Sequence, residues 1–323
     1  MTHAQMMEVE ATDDFVKAYA DLWPLAQRVS QAIYQLTRPT MNPAFAALQL
    51  PEGAQVLPLL TAYALYPEPI SGRALRRRTP YATEASRAQA LPRLAEIDLL
   101  EAGSDGEYLI TSDGRKIVAH FLGVFYDALR SLQPAVIDRV GSAALDETAQ
   151  QLNTIVDAAL VGPIAQWGTR TSHRLIPPDD VALARLDQAL DDLTAFRDDT
   201  HLAAWQPHHI DGHAWEFFTL LWRGEVKTAA EMVEKAPQRG HPQADYETAL
   251  AELIDRGWVQ AVEDGHQLTP AGREIREQAE ALTDRYFFAP WATLNTAQLA
   301  GLRAQLTMLA AQLEDMAKAP TPN

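Results

Sequence analysis

The chain carries one stretch twice, and that duplication limits its possible folds more than any other feature. Ala249 to Ile275 reads ALAELIDRGWVQAVEDGHQLTPAGREI, and Ala90 to Ile117 reads ALPRLAEIDLLEAGSDGEYLITSDGRKI. With Ala90 set on Ala249, Leu91 meets Leu250, Leu94 meets Leu253, Leu100 meets Val259 and Gly106 meets Gly265. After one extra residue in the earlier copy, Thr111 meets Thr269, Gly114 meets Gly272, Arg115 meets Arg273 and Ile117 meets Ile275. Two copies at this separation mark a duplicated unit rather than a short solenoid period.

Each copy can be read from its own residues. It opens with an apolar stripe at helical spacing (Leu91, Leu94, Ile97; Leu250, Leu253, Ile254), so a helix packs one face inward. A short β-leaning run follows, Leu99-Leu100 in one copy and Trp258 to Val262 in the other. Asp105-Gly106 or Asp264-Gly265 then supplies the φ > 0 residues of a tight hairpin turn. A second strand returns through Tyr108-Leu109-Ile110 or Gln267-Leu268. Thr111 or Thr269 is placed to cap the next helix, and Pro270 suits a first helical turn. Helix, two-stranded wing and helix make the second half of a winged helix-turn-helix.

These residues carry a resemblance. The pattern L-x-x-x-G-x-(V/L), DG and LT-x-x-GR resembles the MarR-type winged-helix superfamily over residues 55–120 and 214–282. Arg197 to Met316 further resembles the SalK-type helix-turn-helix family. That likeness rests on RDDTHLAAW (Arg197 to Trp205), IDGHAWE (Ile210 to Glu216), LTPAGREIRE (Leu268 to Glu277) and TDRYFFAPWATL (Thr283 to Leu294). It implies a winged-helix protein and leaves the ligand open. The N-terminal half does not match that second pattern.

The expected architecture is mainly α: two winged helix-turn-helix units, each with a small two-stranded β-wing, joined by helical connectors into a covalent pseudo-dimer. Residues 1–132 would hold an N-terminal helix and the first unit. Residues 133–204 would form a helical connector, and 205–318 the second unit with a C-terminal helix. Apolar residues from Phe15 to Leu36 predict one long amphipathic helix, ended by Pro39 and Pro43. Ser71 is expected to cap a short helix, and a recognition-position helix to start near Thr83, where Pro92 sits awkwardly. Leu299, Leu302, Leu306, Leu309, Leu313 and Met316 form a heptad seam. It is expected to pack mainly on the N-terminal helix of the same chain, giving a monomer or a weak homodimer. The chain's start is expected to fray and Ala319 to Asn323 to be disordered.

A net charge of −16 argues against a general nucleic-acid binder, because phosphate contacts need a basic surface. The distribution is uneven. Residues 55–95 hold six arginines against Glu68 and Glu84, whereas 214–254 hold four basic residues against seven acids. If one copy touches double-stranded DNA, it is the first. Arg73, Arg76, Arg77, Arg78 and Arg87 would meet phosphates, and Thr83, Ser86 and Arg87 would face bases. The alternative is a solvated basic face. Both wing tips are bare Asp-Gly, whereas MarR-type wings are usually longer and basic.

Five of the seven tryptophans lie between Trp205 and Trp291. Trp215, Phe218 and Trp222 share a helix face, and with Trp205, His201 and His209 they are candidate walls for a small aromatic ligand. Core packing is the alternative. His209 and His213 are four apart and could share a helical face, but no H-E-x-x-H is present and a structural role is expected rather than a metal site. No phosphate-cradling glycine loop and no G-x-S-x-G occurs, so neither an enzyme nor a cofactor is expected. Cysteine is absent, which suits a reducing cytoplasm. The acidic start has no apolar core, as a signal peptide would need, and no run approaches the roughly 18 apolar residues of a membrane span. The expected function is a ligand-responsive transcriptional regulator. The alternative is a small-molecule-binding or sequestering protein that kept the fold without binding DNA.

Overall fold

Apolar stripes at helical spacing dominate the chain, and the resulting architecture is mainly helical, with two small antiparallel two-stranded sheets. The structure, a computed structural model, describes residues 10–48, 50, 56–164 and 166–318; the expectations for the first nine residues and for 319–323 fall outside them. The elements are α1 (Asp13–Tyr19), α2 (Leu22–Ala47), α3 (Val56–Leu65), α4 (Gly72–Leu75), α5 (Glu84–Ala88) and α6 (Ala90–Glu96). Next come β1 (Leu100–Ala102), β2 (Tyr108–Ile110), α7 (Ser112–Val140), α8 (Ser142–Val161), α9 (Trp167–Ser172) and α10 (Ala182–Trp205). The chain continues through α11 (Gly212–Arg223), α12 (Ala229–Lys235), α13 (Gln243–Asp255), β3 (Val259–Val262) and β4 (Gly265–Leu268). It closes with α14 (Pro270–Phe288) and α15 (Thr296–Lys318). Two compact units result, and they interleave along the chain: a helical unit of Met1–Leu50, Ser112–Thr200 and Asp284–Asn323, and a wing unit of Pro51–Thr111 and His201–Thr283. These units cut across the three sequence segments.

In the helical unit α15 lies along α2 of the same chain. Leu299, Leu302, Leu306, Leu309 and Leu313 are all buried there, and Met316 is half-buried against the same core. Each such side chain contributes about 1.5–3 kcal/mol on burial. The pairs Arg28–Glu314 (2.7 Å) and Arg303–Asp21 (2.8 Å) also join these helices, but they are solvent-exposed and contribute little. Burial of the leucines therefore does most to hold the two helices together.

Two expectations for the N-terminal helix need correction. It is two helices, with Thr12 capping α1 by accepting from the Phe15 amide (3.2 Å). And α2 does not stop at Pro39 and Pro43; it runs through both to Ala47. Each proline removes one helical hydrogen bond, freeing the carbonyls of Gln35 and Pro39. Gln35, Pro39 and Pro43 are all exposed, so water can satisfy those carbonyls.

Helix α10 supplies the helical unit with two buried carboxylates that organise α9. Asp199 accepts from the Gln166 and Thr169 amides (both 2.9 Å) and from the Thr169 hydroxyl (2.6 Å). Asp192 accepts from Ser172 Oγ (2.6 Å) and Gln188 Nε2 (2.8 Å), and pairs with His173 Nδ1 (2.8 Å). The hydrogen bond to Asp192 raises the His173 pKa against the opposing effect of burial. A raised folded-state pKa means that the pair stabilises fully below the ordinary imidazole value and fades as pH rises through the folded one. His173→Gln is thus expected to lower the urea midpoint more at about pH 5.5 than at about pH 9. The difference should be about 1 kcal/mol or less, since His173 is partly exposed.

In the wing unit several local features occur in or near both repeated stretches. Ser71 caps α4 by accepting from the Ala74 amide (3.1 Å), as Thr228 caps α12 by accepting from Glu231 (3.2 Å). Asp98 and Gly257 each turn the chain at φ of 59° and 72°, after which Leu99 N donates to Leu94 O and Trp258 N to Leu253 O (both 3.0 Å). Leu100 pairs with Ile110 and Val259 with Leu268. Ile70 exchanges two 2.8 Å bonds with Tyr108, and Lys227 accepts from His266 N (3.0 Å), so in both copies a segment ahead of the second helix is bonded to the return strand.

The hairpin tips differ. Asp105 (φ 55°) and Gly106 (φ 73°) form the left-handed turn expected of Asp-Gly. In the second copy Val262 pairs with Gly265, so Glu263-Asp264 make the turn and Gly265 opens β4. Glycine is needed there on two counts: its φ is 131°, and a Cβ at 265 would stand 2.8 Å from the Lys227 carbonyl oxygen. Pro92 is accommodated because the helix breaks at Gln89 and restarts at Ala90, which leaves the proline in a first turn whose amides need no helical partner.

Candidate nucleic-acid interface

The expected DNA contacts sit on α4, α5 and the turn between them. Thr83 caps α5, its hydroxyl accepting from the Ser86 amide (3.1 Å). That first turn is held against the second copy. Thr83 N donates to Arg239 O (2.8 Å), and Ser86 Oγ donates to Gln238 O (2.7 Å). The approach is close: a Cβ on Gly212 would lie 2.5 Å from Pro80 O, and one on Gly240 would lie 2.9 Å from Ser86 Cβ. Arg239 is anchored by Glu216 (Nε to Oε2, 2.9 Å) and its guanidinium lies 5.5 Å from the Tyr81 ring centroid. Arg87 is half-buried here, and burial, then the nearby Arg239, hold its guanidinium below the ordinary arginine pKa.

The seven residues therefore separate. Arg73 and Arg77 are exposed on and just after α4. Arg76 and Arg78 are half-buried, with Arg76 Nη2 donating to Pro80 O (3.4 Å). Thr83, Ser86 and Arg87 lie at the junction of the two copies.

The tryptophan cluster is built on α11. Trp205 stacks on Trp215 (5.4 Å between centroids, 10° between planes), and Trp215 meets Phe218 edge-on (5.6 Å). Trp222 joins through Arg276, whose guanidinium stands 4.9 Å from the Trp215 ring centroid and 5.0 Å from that of Trp222. Trp205, Trp215 and Phe218 are buried and in ring-to-ring contact, which is how core side chains pack. The two histidines lie apart from the stack. His201 Nδ1 is 3.4 Å from Thr283 Oγ1, while His209 is exposed in a left-handed turn (φ 53°). His208 faces Trp215 instead (5.7 Å). Because His209 precedes α11, it cannot share a helical face with His213, which stacks on His241 (4.4 Å).

Sequence reasoning misses Arg276. It is fully buried, ion-paired with Glu280 (2.5 Å), and its Nε and Nη1 find no hydrogen-bond partner among the described residues. Burial lowers its pKa despite Glu280. The legible signal is an Arg–Glu pair at i, i+4 on α14 beside a tryptophan-rich helix.

Residues 111–320 match a family model described as a helix-turn-helix family. The chain belongs to this helix-turn-helix family. No curated protein and no solved structure matches it. In this helix-turn-helix protein the matched span includes the second copy but begins after the first wing, so the arginine-bearing α4 and α5 lie outside it. Membership makes DNA the coarse expectation for a partner. Among the described residues no helix is long and apolar enough to cross a membrane, and no group of three or more His, Asp or Glu is placed to hold a metal ion.

Proposed function

We propose that this protein is a ligand-responsive transcriptional regulator with two MarR-like winged helix-turn-helix modules in one chain, acting in the cytoplasm without catalysis. The first module contacts double-stranded DNA through Arg73 and Arg77. The carrying observation is the exposure of these two arginines on the α4 side of the positively charged copy, in a helix-turn-helix family member. Thr83 and Ser86 are engaged with the second copy, so DNA contact through α4 would be directed at phosphates more than at bases. The intrachain seam favours a monomer or a weak homodimer.

Fluorescence anisotropy with a labelled duplex across a salt series supplies the test. Wild type should bind at low salt, and the double variant Arg73→Ala/Arg77→Ala should bind more weakly, with a log–log salt slope shallower by about 2. If wild type shows no binding at low salt, the second reading holds: a small-molecule-binding protein that kept the fold. That reading is favoured by the net charge of −16 and by the occupied first turn of α5.

A further inference from the structure

The helical unit holds a cavity of about 570 Å3 lined by α2, α7 and α10, within the usual range for a small-molecule site. Its apolar wall includes Trp23 and Phe125, and the exposed Tyr34 lines it as well, so it opens to solvent there. Asp187 of α10 also lines it. This side chain is more than nine-tenths buried, and among the described residues no donor or cation pairs with it. The exposed Asp191, one helical turn on, lines the same space. Burial pushes the Asp187 carboxyl well above the usual carboxylate range, and the charge of Asp191 pushes it further. An unpaired carboxyl in such a place costs stability that any cation entering the cavity would restore. Two carboxylates fall short of a metal-binding group, and none is found among the described residues. Aromatic faces beside a carboxylate suit a cation with an organic body.

We propose that this cavity is the ligand site and that it takes a small organic cation, an amine or amidinium on an apolar or aromatic body, whose charge pairs with Asp187. The inference rests on the ligand-responsive reading and moves the ligand from the tryptophan stack to the helical unit. Tryptamine, tryptophol and indole-3-acetate share one aromatic body and differ in charge, so they serve as probes in calorimetry and thermal melts. Tryptamine should bind wild type about tenfold or more tightly than tryptophol, and indole-3-acetate should be weakest. Asp187→Asn should erase the preference for tryptamine. Its own melting temperature should rise by about 2 °C or more, because the variant removes a buried carboxylate with no partner. The wild-type comparison needs no variant, so a poorly folding Asp187→Asn would not rescue the idea. Equal binding of the three probes, no binding of tryptamine, or undiminished binding by folded Asp187→Asn overturns it. The two readings fail separately. Tryptamine bound through Asp187 without changing duplex affinity leaves the cavity and removes the regulator. A change in duplex affinity that survives Asp187→Asn does the reverse.

Discussion

Leu306→Glu is expected to unfold the helical unit rather than to release a folded subunit. Leu306 is fully buried where α15 meets α2. The exchange forfeits about 2–3 kcal/mol of apolar burial. It also places a carboxylate in an apolar core, at a cost of several kcal/mol more unless the group takes up a proton. Together these approach the whole stability of an ordinary domain, about 5–15 kcal/mol. Leu306→Ala keeps the fold and should lose about 2–5 kcal/mol, read as a lower urea midpoint. Circular dichroism should show Leu306→Glu without a cooperative transition. Light scattering over a dilution series checks the partner: a dimeric wild type giving a folded monomer on Leu306→Glu would mean that the seam joins two chains.

Gly272→Ala should be the most damaging small change in the wing unit. Gly272 lies in the first turn of α14, where its amide donates to Thr269 Oγ1 (3.0 Å). A Cβ there would stand 2.0 Å from the Trp258 carbonyl oxygen and 2.8 Å from its carbon. Backbone cannot rotate away as a side-chain end can, so the helix start must shift off the wing, at about 3 kcal/mol. Gly301→Ala is the control. Among the described residues nothing lies within 4 Å of a Cβ at 301, and the site is interior to α15. That variant should stabilise by about 0.5–1 kcal/mol through the helix preference of alanine. If Gly272→Ala melts like wild type, the start of α14 does not press on the Trp258 backbone.

Much of the local structure is legible in the sequence because it depends on neighbours in the chain. The stripe Leu250, Leu253 and the threonine before Pro270 need only helical spacing and capping chemistry. Asp105-Gly106 forms its turn because both residues tolerate positive φ. Asp264-Gly265 does not: the turn falls one residue earlier, and Gly265 lies in β4 where the backbone of Lys227 leaves no room for a Cβ. Pro39 and Pro43 read as stops because a proline costs a helix one bond. They become tolerable once packing on the opposite face of α2 leaves both in water.

The candidate sites divide the same way. Sequence alone determined that one stretch occurs twice, that the arginines gather around the first occurrence, and that a leucine seam on α15 must find a partner. Which partner it finds was decided by the tertiary structure, since a heptad stripe states an apolar face and not what covers it. So was the fate of Thr83, Ser86 and Arg87, because nothing near them in the chain signals that Gln238 and Arg239 occupy their face. Asp187 shows the limit most clearly. Among Leu183, Leu186, Leu190 and Leu193 it reads as the polar flank of an amphipathic helix, and only the packing of α2 and α7 around that flank buries it beside a cavity. Periodicity records which side chains lie on one face, whereas burial and unmet charge belong to whatever the rest of the chain brings against it.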